Sequence, residues 1–352
     1  MFVIHRTSKP LGWPVPRGSV PLAREICVSR IFGVLHLAAL SLLSLAREWI
    51  FLLALFFHLP VAMDLDTALM FADLTGHGVA VSEECALRVA SSVLLAKSKH
   101  HHFGFWGKVR GHAADYLVAV CHDEDMLDAS TTTYYFSTDG AVSFSCLPAL
   151  TSADAKSADR LQSWLESITG CFMGDPAFEY RVVDPTTGAE HRLLESQRLA
   201  ALIAAHTRRC RVVPRGAYAL RRVVPPAAKK ADGHAARLGV IRNSTFEGLD
   251  RLAAGRLDSY VHLRPQTRPR AAVETPEAGS ASERFDCLDP ISEDVPIGQW
   301  NLKYDAARNC VYAHNLSLDG AVFFHVPGTA VHGNIYIGDG AINSDLAFMV
   351  VG

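Results

Sequence analysis

Apolar and polar positions change rhythm several times along this chain, and each change marks a predicted element. Met63-Asp64-Leu65-Asp66 opens an amphipathic stretch that predicts a short helix over 64–74. A second helix is predicted over 82–98, with Ser82 as N-cap, Glu83 and Glu84 in the first turn, and Leu87, Ala90 and Leu94 on one face. After Lys97 the period shortens to that of strands: Phe103–Arg110, Asp115–Cys121, and a hairpin of Thr131–Ser137 with Ala141–Leu147 joined through Asp139-Gly140. A Ser/Ala/Asp-rich piece at 151–160 leads to a helical stretch ending at Gly170, a strand at Phe178–Val183 and a turn at Asp184–Gly188. Leu193–His206 reads as a helix rich in Ala and Leu.

Two loops follow, 225–239 and a Pro/Arg/Glu-rich stretch at 265–282 that is the best candidate for disorder; both read as contact arms. Towards the C-terminus Gln299–Tyr304, Cys310–Asn315, Ala321–Val326 and Asn334–Ile337 are short strands separated by Asp/Gly or Pro/Gly turns, the pattern of an antiparallel meander. The expectation is an α+β fold of short N-terminal helices and mainly antiparallel sheet with a C-terminal β-meander, not the alternating order of a Rossmann fold.

The first 62 residues stand apart. Residues 31–59 are strongly apolar, broken by Arg47-Glu48 and preceded by Arg17, Arg24 and Arg30. A spanning helix needs about 20 apolar residues, and the Arg-Glu pair leaves neither half long enough unaided. Three readings follow from the pattern: an extension upstream of a start at Met63, a membrane anchor, or a core helix. The division expected is an apolar extension over 1–62 and a folded unit over 63–352.

Composition narrows the function classes. Of 352 residues 49% are hydrophobic and 20% charged, enough for a real core, and the net charge of −2 gives no bulk reason to bind nucleic acid or an anionic membrane. Charge is uneven, however: residues 208–270 hold 15 Lys/Arg against 4 Asp/Glu, whereas 63–207 hold 10 against 19 and 271–352 hold 3 against 11. A basic middle between acidic flanks suits charge matching within the protein or between subunits, or a plain solvated face. The eight cysteines, Cys27, Cys85, Cys121, Cys146, Cys171, Cys210, Cys287 and Cys310, form no CxxC and are expected to be free, mostly buried thiols.

Catalytic signatures are sparse. His100-His101-His102 has no zinc-ligand companion at the right spacing and reads as a solvated helix terminus, and Asp123-Glu124-Asp125 lacks the glycine and distal glutamate of a calcium loop. GxSxG, GxxxxGK[ST] and GxGxxG are absent. A Cys171–His206 pair is the one nucleophile arrangement to imagine, and no catalytic, cofactor or metal residue is assigned.

Several segments, in order, resemble the radial spoke head protein 9 family. They are Phe105-Trp106-Gly107-Lys108-Val109 with Asp115-Tyr116; Phe172-Met173-Gly174-Asp175-Pro176 with Phe178-Glu179-Tyr180; Val213-Pro214-Arg215-Gly216-Ala217; Asn243-Ser244-Thr245-Phe246-Glu247-Gly248-Leu249; and Ser259-Tyr260-Val261-His262. Asp294-Val295-Pro296-Ile297-Gly298-Gln299-Trp300, Phe323-Phe324-His325, Tyr336-Ile337-Gly338-Asp339-Gly340 and Asp345-Leu346-Ala347-Phe348-Met349 complete the series. Leu117 and Phe144 stand where the family usually has tyrosine and tryptophan, changes that a core absorbs by repacking. The resemblance implies a non-enzymatic subunit of the axonemal radial spoke head, without cofactor. It would pair with larger spoke head proteins of the 4/6 type and help the spoke carry contact from the central pair apparatus to the dynein arms; with the balanced charge, no nucleic acid is expected as partner, and the alternative to this role is a membrane-anchored protein with a soluble interaction domain. Trp106, Phe172, Phe246, Tyr260 and Trp300 are expected in the core or as interface anchors, and Gly107, Gly174, Gly216, Gly248 and Gly298 at turns or strand bends.

Overall fold

The computed structural model describes residues 65–123, 131–150, 155–184, 188–223, 237–264, 288–343, 345–346 and 348. The 1–62 extension, Met63, Asp64, Glu124, Asp125, the turn centre at 185–187, most of the first loop (225–236) and the whole 265–282 stretch lie outside these residues.

The described residues open with two helices: α1, Leu65–Met70, continued by a 3-10 turn at Ala72–Thr75, and α2, Val81–Ser98. Ser82 is not the N-cap. The helix starts one residue earlier because the Glu83 carboxylate reaches back to the Ala80 N–H at 2.9 Å, so the cap comes from the third helical residue. Leu87, Ala90 and Leu94 are buried along one face, as their spacing predicts.

Strands β1 (His102–Val109), β2 (Tyr116–His122), β3 (Thr132–Ser137) and β4 (Ser145–Cys146) form one half of a sheet. The expected long second arm of the hairpin shrinks to the two residues of β4. Its start is curled around Asp139, whose carboxylate accepts the Val142 and Ser143 N–H groups at 3.1 and 3.0 Å. Helix α3, Ala155–Glu166, is followed by a hairpin of β5 (Glu179–Val183) and β6 (Glu190–Leu194). Leu193 therefore belongs to a strand, and the helix expected there, α4, begins at Glu195 and runs to Cys210. The next segment holds elements that the periodicity did not reveal: β7 (Val212–Pro214), a hairpin of β8 (Tyr218–Val223) with β9 (Arg237–Arg242), the single turn α5 (Arg251–Ala254) and β10 (Tyr260–His262). Residues 237–239, expected in a loop, are strand because Arg237 to Gly239 pair with Val223 to Arg221.

The meander is present as β11 (Trp300–Asp305), β12 (Cys310–Asn315), β13 (Ala321–His325) and β14 (His332–Gly338). It does not stand alone. β14 pairs in parallel with β1, and this single parallel contact joins both halves into an eight-stranded sheet of order β11-β12-β13-β14-β1-β2-β3-β4. The bulge at the junction requires glycine: at Gly107, φ is +150° and a Cβ would lie 2.0 Å from the Tyr336 carbonyl oxygen.

Alternate residues of the central strands feed two cores. Leu65, Leu69 and Leu87 pack with Phe105, Leu117, Val322 and Ile335 on one face. On the other, Trp106, Tyr116, Phe172, Leu199, Ile203, Phe323 and Tyr336 bring α4 against the sheet. Burial on both faces is why β2 and β13 read as continuous apolar runs. The expectation that most cysteines are buried holds for only half of those described: Cys121, Cys210 and Cys310 are buried, and Cys85, Cys146 and Cys171 are exposed, all as free thiols.

Candidate interaction surface

Titratable side chains gather at several places among the described residues, and at three of them the geometry locks one segment to another. Glu195, the first residue of α4 and 0% exposed, is the most enclosed. One carboxylate oxygen accepts the Tyr116 hydroxyl and the Gly174 N–H, both at 2.7 Å. The other accepts the Met173 N–H at 2.8 Å and the Tyr180 hydroxyl at 2.5 Å. Burial, followed by the Glu195 hydrogen bond, pushes the Tyr180 phenol up to about 12 and raises Tyr116 as well, so both stay protonated donors. Each oxygen has two donors, which makes the carboxylate a strut at the positive end of α4. Arg198, one turn on, donates to the Tyr180 oxygen at 2.9 Å and the Gly170 carbonyl at 2.7 Å, and lies 4.1 Å from the centroid of Phe172.

Asp294 builds the second knot. Its two oxygens lie 2.8 Å from His262 Nε2, and one accepts the Trp300 indole N–H at 2.8 Å. Partial burial opposes its ionisation, yet the bonds from His262 and Trp300 outweigh it and hold the carboxyl below the usual range. The third knot brings together two clusters that looked unrelated in sequence. Asp123 accepts from His101 Nδ1 at 2.8 Å and lies 3.3 Å from His100 Nδ1, while His100 Nε2 meets the Thr133 hydroxyl at 3.0 Å. The end of α2 is thus tied to the β2–β3 turn, and only His101 is strongly exposed. Cys171 and His206 sit in different settings: the thiol is exposed, while the imidazole is buried edge-on to Trp106 at 5.0 Å and Tyr336 at 5.6 Å. Among the described residues no group of three or more His, Cys, Asp or Glu could hold a metal ion, and no helix is long and apolar enough to cross a membrane.

The family-like aromatics Trp106, Phe172, Tyr260 and Trp300 are buried, whereas Phe246 is half-buried against His332, and Leu117 is buried with Phe144 packed beside it. The five singled-out glycines all have positive φ. What spacing did not single out is where apolar side chains face water. Val81, Cys85, Val89 and Val93, four apart, run up the outer face of α2. The turn after Asp294 exposes Val295 at 86% and Ile297 at 78%, with Leu316 at 41% beside it through the Leu316 N–H bond to the Gln299 carbonyl. At the far end of β11 Tyr304 is exposed under Arg251, 4.6 Å from its ring centroid, and the 85%-exposed Leu252, next in sequence, lines a groove of about 370 Å³ with Arg215, Asp250 and Arg256. Apolar clusters of this kind on a folded surface mark contact sites. The signal that could have pointed to the turn was an Asp-aliphatic-Pro-aliphatic-Gly run directly before a strand.

No protein-family model matches the chain. Curated proteins do. It is 32% identical over 304 residues to the Radial spoke head protein 9 homolog of Danio rerio, 30% over 302 residues to that of Xenopus tropicalis and 27% over 301 residues to that of Homo sapiens. Each match takes in 82% of this chain and 100% of the relative. Relatives matched along their whole length at this identity, together with buried aromatics and positive-φ glycines at the positions that carry the resemblance, show that the chain belongs to the radial spoke head protein 9 family.

Proposed function

We propose that this chain is a structural subunit of the radial spoke head in the axoneme of a motile cilium or flagellum, where it supports spoke assembly and the regulation of beating. The observation that carries this reading is the match to relatives of that name over their entire length. The polar chemistry agrees with it, because the Glu195, Asp294 and Asp123 carboxylates are each spent on joining segments. The finer reading is a scaffold without catalysis or cofactor. Its direct partners are larger spoke head proteins of the 4/6 type, and it meets the central pair apparatus through the assembled spoke. Residues 63–352 form the spoke head unit, and 1–62 are an appended extension.

A C-terminal tag in a flagellated cell, followed by detergent extraction, tests both parts. Retention on the washed axoneme at the mass of a product starting at Met63 supports the reading. Loss into the detergent at full length overturns it in favour of a membrane-anchored protein, the role the apolar stretch at 31–59 would then play.

A further inference from the structure

The eight-stranded sheet ends differently on its two sides. β4 is two residues long and offers little to another strand, while β11 runs for six residues with no strand outside it among the described residues. Long open edges are where further strands add. The direction of the main-chain groups along β11 follows from its pairing: Trp300 lies opposite Asn315, and the Gln299 carbonyl accepts the Leu316 N–H at 2.8 Å. In an antiparallel ladder the bonded residues alternate. The Gln299 carbonyl and the N–H and C=O groups of Asn301, Lys303 and Asp305 therefore face β12, while the Gln299 N–H turns back to the Pro296 carbonyl at 3.2 Å; Leu302 and Tyr304 turn their groups outward.

The side chains around this edge say what kind of strand fits. Apolar groups stand at both ends: Val295, Ile297 and Leu316 before Trp300, and the exposed Tyr304 ring near the other end. The Asp294 knot fixes the first of these groups in place by holding Trp300 and His262. The exposed charged side chain on the strand itself is cationic. The edge carboxylates are engaged: Asp305 lies 3.7 Å from Arg308, Asp258 accepts from Arg256 at 2.6 Å, and Asp250 caps α5 through the Ala253 N–H at 2.7 Å. Exposed Lys303 has no such counter-ion among the described residues, and Arg251 lies over the Tyr304 ring, 4.6 Å from its centroid.

We infer that β11 is the docking edge for an extended segment of a partner chain in which apolar side chains alternate with carboxylates. The segment bonds to the outward N–H and C=O groups of Leu302 and Tyr304. Its apolar side chains lie on the Leu302–Tyr304 face, and its carboxylates meet Lys303 on the other face. A second copy of this chain is the poorer occupant, because it would bring Lys303 and Arg251 of both chains to one seam. The inference rests on the spoke head reading and deepens it: the partner is another spoke head protein.

The test uses the full tagged chain expressed beside the untagged one, with retention on detergent-washed axonemes as the readout. Tyr304→Pro removes an outward N–H that the β12 ladder does not use, which an edge strand tolerates. Lys303→Glu reverses the exposed charge at a position where surface changes leave the fold intact. Both variants are expected to melt close to the parent and to be retained about tenfold less, the effect of losing one or two hydrogen-bonded or charged contacts. If Tyr304→Pro melts far below the parent, Lys303→Glu alone decides. Retention of the parent with undiminished retention of Lys303→Glu overturns the docking edge and leaves the spoke head reading standing, whereas loss of the parent itself overturns that reading. Purified chain that dimerises in sedimentation and is dispersed by Tyr304→Pro overturns the assignment to a different partner.

Discussion

Two carboxylates, Glu195 and Asp294, solve the same problem at opposite depths. Each gathers donors from segments far apart in sequence, but Glu195 is wholly enclosed and everything it holds is interior: Tyr116, Tyr180 and the Met173–Gly174 turn. Asp294, with a side chain 15% exposed, fixes a turn whose next residues point into water. The comparison teaches that a buried polar knot does not by itself mark a functional site. What matters is whether the segment it rigidifies faces the core or the solvent. A fixed apolar turn loses little freedom when a partner covers it, which favours binding.

Acid should break the interior first and most deeply. Burial lowers His122 and His325 from 6.5 to about 4, and His206 to about 3, so all three are neutral when folded. The unfolded chain takes up those protons as pH falls below 6.5, so their contribution is complete above that value and is lost on the way down to 3–4. Lowering the pH from about 7.5 to about 5 is expected to cost about 2 kcal/mol per histidine, roughly 6 kcal/mol together, in a denaturant melt. Asp294 stays ionised throughout that window, because the bonds from His262 and Trp300 hold its carboxyl below the ordinary value of 3.8.

Glu195→Ala comes next. It orphans two hydroxyls and two backbone N–H groups, at about 3–5 kcal/mol of stability in a urea titration. Asp294→Ala should be milder, about 2 kcal/mol, because its site is nearer water. Its signature is local: amide exchange at Ile297 and Gly298 should quicken while the core amides stay protected. Smallest in stability is Ile297→Asp, within about 0.5 kcal/mol of the parent, yet it should lower retention on washed axonemes. If Ile297→Asp unfolds the chain, or Glu195→Ala does not weaken it, the contrast between a holding knot and a displaying knot fails.

Much of the local structure was legible. The α2 helix, β1 to β3 and all four meander strands stand within a residue or two of where period and turn residues put them. The misses have physical reasons. β6 runs into α4 with no break, so the apolar Leu193-Leu194 was absorbed into the helix that Glu195 begins. β8 and β9 are rich in arginine and carry little apolar periodicity, so they read as flanks of a loop. Glu195 itself looked like any acidic residue at a helix start, because its partner Tyr116 is 79 residues away. The exposed turn was visible only as a family-like string, since sequence does not say which aliphatic side chains find a core.

By itself the sequence determined the α2 helix, the first three strands, the meander, the glycines at turns and strand bends and the family. Those depend on neighbours along the chain, where propensity, spacing and turn chemistry act. Only the tertiary structure decided that β14 lies parallel to β1, that Glu195 is a strut while Asp294 supports a display, and that β11 is left as an open edge. Each of these depends on which distant segments end up side by side, and that is settled by the burial of two sheet faces at once rather than by any local preference.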